Sequence, residues 1–162
     1  MEALVSVATR IGQVLKQRHE TVAIAESSSG GLISAAMLSI AGASAYFIGG
    51  SVTYTRKSMT ELLRMGEAEF AQMRGISEPT ALALANAIRG RLATTWAVSE
   101  IGAAGPTGSR YGDAAGTSCI AVAGPTSRAA VVRTGISDRP ANMERFAAAA
   151  LELLERVLTE SR

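Results

Sequence analysis

Three short apolar runs, TVAIA (21–25), GGSVTY (49–54) and TWAVSE (95–100), are separated by segments whose apolar residues recur at helical spacing. That alternation constrains the fold more than any other feature of the chain. Residues 3–18 place Leu4, Val7, Ala8, Ile11, Val14 and Leu15 on one helix face. Further helices are expected over 29–40, 55–65 and 67–73, over 77–93 with Ser77 as N-cap and Pro79 in the first turn, and over 139–160. Strands joined through helices run parallel, which argues for a layered α/β domain. The runs TSCIAVAG (117–124) and RAAVVRTG (128–135), divided by a Gly-Pro turn, read as a hairpin, so the sheet must be mixed. No repeat or linker divides residues 1–162, and one domain of this length can bury a real core.

Composition excludes several function classes. The net charge is +2, and the one dense basic cluster, Arg89 to Arg91, is broken by Gly90, too little for a nucleic-acid binder on charge alone. Cys119 is the only cysteine, so an intrachain disulfide and a cysteine-built metal cluster are both excluded. His19, the only histidine, falls at the end of the first helical segment, which disfavours an imidazole metal site or a Ser-His-Asp triad. No apolar run could span a bilayer and the N-terminus is not signal-like, so a cytoplasmic protein is expected. The Ala-rich helices 77–93 and 139–158 leave flat faces that lead us to expect a homo-oligomer, most simply a dimer.

In open α/β sheets ligands bind beyond the carboxyl ends of parallel strands. Segments 25–31, 54–58 and 101–115 collect there, each with residues that permit or invite close approach. In AESSSGG (25–31), a helix beginning near Ser28 or Ser29 would aim free N–H groups at whatever lies over Ser27, favouring an anion or oxyanion. The same residues equally suit an ordinary N-cap and tight helix packing. The glycine-rich loop 101–115 contains neither a Walker Lys-Ser/Thr ending nor a G-x-G-x-x-G that opens a helix.

Taken together, AESSSGG (25–31), GASAYFIGGSVTYT (42–55), ISEPTALALA (76–85) and GAAGPTG (102–108) resemble, in order and spacing, the CinA C-terminal domain family, whose usual motifs read AESCTGG, GSSxxFxxGxVxYS/T, VSE and TGIAGPxGG. The resemblance covers about residues 5–158 and includes the nicotinamide-nucleotide amidases. It implies a three-layer α/β/α sandwich with a mixed, mostly parallel five-stranded sheet. It also implies a Ser/Lys amidohydrolase site that converts a nicotinamide nucleotide to the acid plus ammonia, with no metal or cofactor. Carried over, the nucleophile is Ser27. The family's lysine falls on Met59 and its assisting hydroxyl on Ile101. Lys57 is the nearest lysine, about 200° away around a helix. The implied ligand-contacting residues are Glu26, Ser28, Ser29, Gly30, Gly31, Ser44, Tyr54, Gly102, Gly105 and Arg110. With two of three chemical groups replaced, the expectations are an amidase with a relocated base supplied by Lys57, Arg110 or Asp113, a nucleotide-binding protein that does not hydrolyse, or an interaction protein tied to competence or damage response.

Overall fold

Strand β1 (Val22–Glu26) lies at the centre of the site because all five of its residues are buried, its two faces covered by different helices. The structure, a computed structural model, describes residues 1–161. Its elements are α1 (Glu2–Arg18), β1, α2 (Leu32–Leu38), a 3₁₀ turn (Ala43–Ala45), β2 (Phe47–Val52), α3 (Arg56–Leu63), α4 (Glu67–Gln72), α5 (Glu78–Leu92), β3 (Trp96–Ala103), β4 (Thr117–Ala123), β5 (Arg128–Arg133) and α6 (Arg139–Glu160). The five strands form one sheet in the order β2-β1-β3-β4-β5. β1 is parallel to both β2 and β3, β4 is antiparallel to β3, and β5 is antiparallel to β4. The sheet is mixed, as expected, with two parallel and two antiparallel pairings. The chain moves from β1 to one neighbour, β2, and then crosses to the other, β3. The carboxyl ends of β1 and β3 therefore form a topological switch point.

The two faces of the sheet differ in side-chain size. Val22, Ile24, Trp96, Val98, Ile120 and Val122 point to the layer of α1, α2 and α6. The alternate residues, Ala23, Ala25, Ala97, Cys119, Ala121 and Ala123, face α5 and α3. The small face lets Ala81, Leu84, Ala85 and Ile88 of α5 settle close to the strands. On the large face Leu151, Leu154 and Phe146 of α6 are fully buried, and a deletion such as Leu151→Ala would cost about 2–5 kcal/mol.

Two boundaries differ from expectation in ways that matter for the site. α2 begins at Leu32 rather than near Ser29, because Gly30 and Gly31 take φ values of 66° and 101°, outside the right-handed helix. β3 runs to Ala103, three residues further than expected, because β4 pairs with it up to Ala103–Thr117. The glycine-rich loop is therefore confined to 104–116. β2 starts and ends two residues earlier than expected, which leaves Tyr54 beyond the strand. α6 spans the residues the sequence indicated.

Candidate functional site

Alternation along β1 and β3 turns Glu26 and Glu100 to the same face of the sheet, and the two are register partners. Both are fully buried. Glu100 accepts hydrogen bonds from Ser27 N (3.2 Å), Ser28 Oγ, Ser29 N (2.8 Å), Ser29 Oγ (3.0 Å) and Ser118 Oγ (2.9 Å). Glu26 accepts from Ser29 Oγ (2.8 Å), Ile33 N (3.1 Å) and Ser34 N (2.9 Å). No Lys, Arg or His is within ion-pair distance of either acid among the described residues. Hydrogen-bond donors satisfy the buried carboxyl oxygens instead.

This arrangement corrects the expectation that the N–H groups after β1 are free for a ligand. The first N–H groups of α2 are capped by Glu26, and those of the serine turn are taken by Glu100. Gly102 makes the close packing feasible, since a Cβ there would come within 2.8 Å of both Ser28 Oγ and Ser118 Cβ. Ser27 is different. Its backbone is held by Glu100, but its hydroxyl makes no hydrogen bond to any described residue, although Ser27 is only 5% exposed. Of the three serines it alone keeps an uncommitted Oγ.

The groups expected around Ser27 divide sharply. Lys57 is helical, and its side chain is 85% exposed and paired with Glu61 at 3.6 Å on the outside of α3. Met59, two residues on, turns inward to the α5-side core at 6% exposure. Ile101 packs at the edge of the same core. Arg110 lies on the outer loop, its guanidinium 5.1 Å from the Tyr111 ring and donating to Tyr111 Oη. Asp113 is engaged by Ser109 Oγ at 2.6 Å. Ser44 sits in the 3₁₀ turn that precedes β2, at the end of the sheet opposite Ser27. Tyr54, Gly30, Gly31 and Gly105 do gather at the carboxyl end.

Arg139, which the sequence reading missed, links them. Its guanidinium donates to Gly105 O (2.8 Å) and Tyr54 Oη (3.1 Å). Tyr54 follows β2 and Gly105 lies in the loop after β3, so the link spans the end of β1 between them. Met143, one turn along α6, packs where a Cβ on Gly30 would stand, 2.8 Å away. No carboxylate is paired with Arg139 among the described residues. The second residue missed is Glu100. An acid in the middle of the apolar run WAVSEIG is poorly suited to a buried strand, and that mismatch was the available signal. For Arg139 the sequence offers only an ordinary Asp138 N-cap with Pro140 in the first turn.

A cleft of about 340 Å³ lies between loop residues 112–117 and Arg133, and one of about 200 Å³ lies under the C-terminal part of α6. Neither is lined by the serine turn. No group of acids, His and Cys that could hold a metal is present among the described residues, and no described helix is long and apolar enough to cross a membrane.

The CinA C-terminal domain model matches residues 4–158. The chain belongs to the CinA C-terminal domain family. It is 36% identical over 149 residues to a CinA-like protein of Salinibacter ruber, covering 92% of this chain and 36% of that protein. It is 33% identical over 156 residues to a CinA-like protein of Trichormus variabilis, covering 94% of this chain and 38% of that one. The chain thus spans little more than a third of the length of these CinA-like relatives. Among solved structures, the competence/damage inducible protein CihA from Agrobacterium tumefaciens superposes with a TM-score of 0.87 at 30% identity, over 97% of this chain and 96% of that one. A CinA superfamily protein from Klebsiella pneumoniae gives a TM-score of 0.89 at 24% identity over 97% and 98%, a likeness of fold.

Proposed function

We propose that the chain binds a nicotinamide-nucleotide-like ligand at the carboxyl ends of β1, β2 and β3, over Ser27, and hydrolyses its carboxamide slowly at most. The observation that carries this reading is the state of Ser27: its hydroxyl is uncommitted among the described residues, yet no proton acceptor on α3 reaches it, since Lys57 is turned outward and Met59 occupies the inward position. In a serine amidase the Oγ–C bond forms as the hydroxyl gives up its proton, the C–N bond breaks as ammonia takes that proton, and water then splits the ester. A positioned base contributes roughly 10²–10⁴-fold to such steps. Arg139 supports the ligand half of the proposal. Its guanidinium is fixed by Tyr54 and Gly105, has no carboxylate partner among the described residues, and suits a phosphate.

The test is direct. Calorimetry with nicotinamide mononucleotide measures binding, and ammonia release measures turnover, each compared with Ser27→Ala. Binding with little or no ammonia is the expected result. Turnover near 1 per second that Ser27→Ala abolishes would show a working base and overturn the claim of impaired hydrolysis. No binding at millimolar ligand would overturn the ligand assignment.

A further inference from the structure

Two buried hydroxyls, Ser51 Oγ and Thr53 Oγ1, have no hydrogen-bond partner in the described structure. They are two residues apart on β2 and its continuation, so they point the same way. The direction is the α5 side of the sheet. A Cβ on Gly49 would touch Leu92 of α5 at 3.4 Å, whereas one on Gly50 would strike Ser34 of α2. Ser51 is the register partner of Ala25, whose small side chain leaves room beside it. Thr53 is fully buried, and its N–H donates to Glu26 O at 2.8 Å, which puts it level with Ser27. Elsewhere on this face the buried Ser99 hydroxyl is satisfied, donating to Ala81 O at 2.5 Å.

Leaving two adjacent buried hydroxyls unmade is costly, and polar hollows of this kind hold water that bridges two to four polar groups. Residues two apart along a strand stand about 6.5 Å apart, and turning both hydroxyls toward one another brings their oxygens within the ~5.5 Å that one water spans with two ordinary hydrogen bonds. We infer that Ser51 and Thr53 hold an ordered water molecule beside Ser27, on the α5 side of the sheet, and that this water orients the Ser27 hydroxyl. Thr53 is then a positioning residue that acts through the water. The inference rests on the proposed role of Ser27, but the water site can be tested independently of any substrate.

The experiment compares wild type with Thr53→Val and Thr53→Ser. A high-resolution crystal structure of the wild type is expected to show water density within hydrogen-bond distance of both hydroxyls, and Thr53→Val is expected to lose it. Melting gives a sign test, because Val has the shape of Thr without the hydroxyl. If the water is bound, Thr53→Val lowers Tm by about 2–4 °C. If the hollow is dry, the same change removes an orphaned hydroxyl and leaves Tm equal or higher, which overturns the inference. The same crystal structures read the orienting role. In the wild type the Ser27 hydroxyl is expected within hydrogen-bond distance of the water, in Thr53→Val it is expected to change rotamer as the water is lost, and in Thr53→Ser both the water and the wild-type rotamer should return. A Ser27 hydroxyl out of reach of the water, or unmoved by its loss, would overturn the orienting role, while the density and the sign of the Tm change still decide the water site.

Discussion

Glu26 and Glu100 stand side by side on parallel strands, both fully buried, with the Ser29 hydroxyl between their carboxylates at 2.8 Å and 3.0 Å. Two carboxyl groups can be buried side by side here because the serine turn, Ser118 and the start of α2 aim their donors at them. The acids organise the turn as much as the turn solvates the acids. That gives a ranked prediction. Glu100→Ala leaves Ser29 N and the Ser28 hydroxyl without their acceptor, while Ser27 N keeps the backbone carbonyl of residue 100 at 3.0 Å, and should cost roughly 3 kcal/mol at about 1–3 kcal/mol per orphaned group. Glu26→Ala removes a helix cap from Ile33 and Ser34, and should cost less, about 1–2 kcal/mol. Urea unfolding of both variants checks the order. A Glu100→Ala protein as stable as wild type would mean that these hydrogen bonds do not set the turn.

Arg139 provides the second prediction. Replacing it with Ala removes the one guanidinium held over the end of β1 and should weaken nucleotide binding about 10- to 100-fold, the value of a charge-assisted hydrogen bond or two. Arg139→Lys keeps the charge but loses the fork that spans Tyr54 and Gly105, so it should recover only part of the affinity. The nucleoside lacking its phosphate should bind equally to wild type and Arg139→Ala. If it discriminates between them as the nucleotide does, Arg139 is not reading the phosphate.

Most of the architecture was legible because the strands alternate large and small residues and the helices carry their own punctuation. Ser77 with Pro79, and Asp138 with Pro140, mark α5 and α6 to within a residue. The start of α2 was not legible, since serines favour N-caps and the sequence does not state that Gly30 and Gly31 adopt left-handed conformations. The site was half legible. Ser27 is singled out by motif, whereas Lys57 stays a candidate base in the sequence despite the helical rotation, and only its outward pairing with Glu61 sets it apart from Met59. Glu100 and Arg139 act through long-range contacts, across 71 to 73 residues to the serine turn and across 34 and 85 residues to Gly105 and Tyr54, which no local pattern encodes.

The thiol of Cys119 gives a prediction in pH. Burial on the α5 side of β4, reinforced by the charge of Glu78, pushes it up to about 11 from an ordinary value of 9.0. The folded state therefore keeps the proton while the unfolded chain loses it first. This contribution to stability is complete below about pH 9 and is lost as pH rises from 9 towards 11. Cys119→Ala should show a shallower loss over the same window. At pH 8 the native thiol should react with iodoacetamide about 100-fold more slowly than in urea, the ratio of thiolate fractions for a shift from 9.0 to about 11. Equal rates in the two states would contradict the burial.

Met59 and Ile101 furnish the last prediction. Met59 faces inward from α3 together with Leu63, and Ile101 is the β3 residue level with Ser27, one step beyond the Glu26–Glu100 pair. A lysine at 59 starts from a position 6% exposed in an apolar cluster with Leu63 and Ala25, so its ammonium must find the polar end of the sheet or lose its charge. Met59→Lys with Ile101→Thr should therefore do two things together. Stability should fall by roughly 1–3 kcal/mol, as expected for a polar group placed in an apolar core. Ammonia release from nicotinamide mononucleotide should rise by about 10²-fold or more over wild type, because Ser27 gains a proton acceptor and a neighbouring hydroxyl. Adding Ser27→Ala to the double variant should return the rate to background. A stable, nucleotide-binding double variant with no gain in ammonia release would show that Met59 and Ile101 are not what limits the chemistry at Ser27.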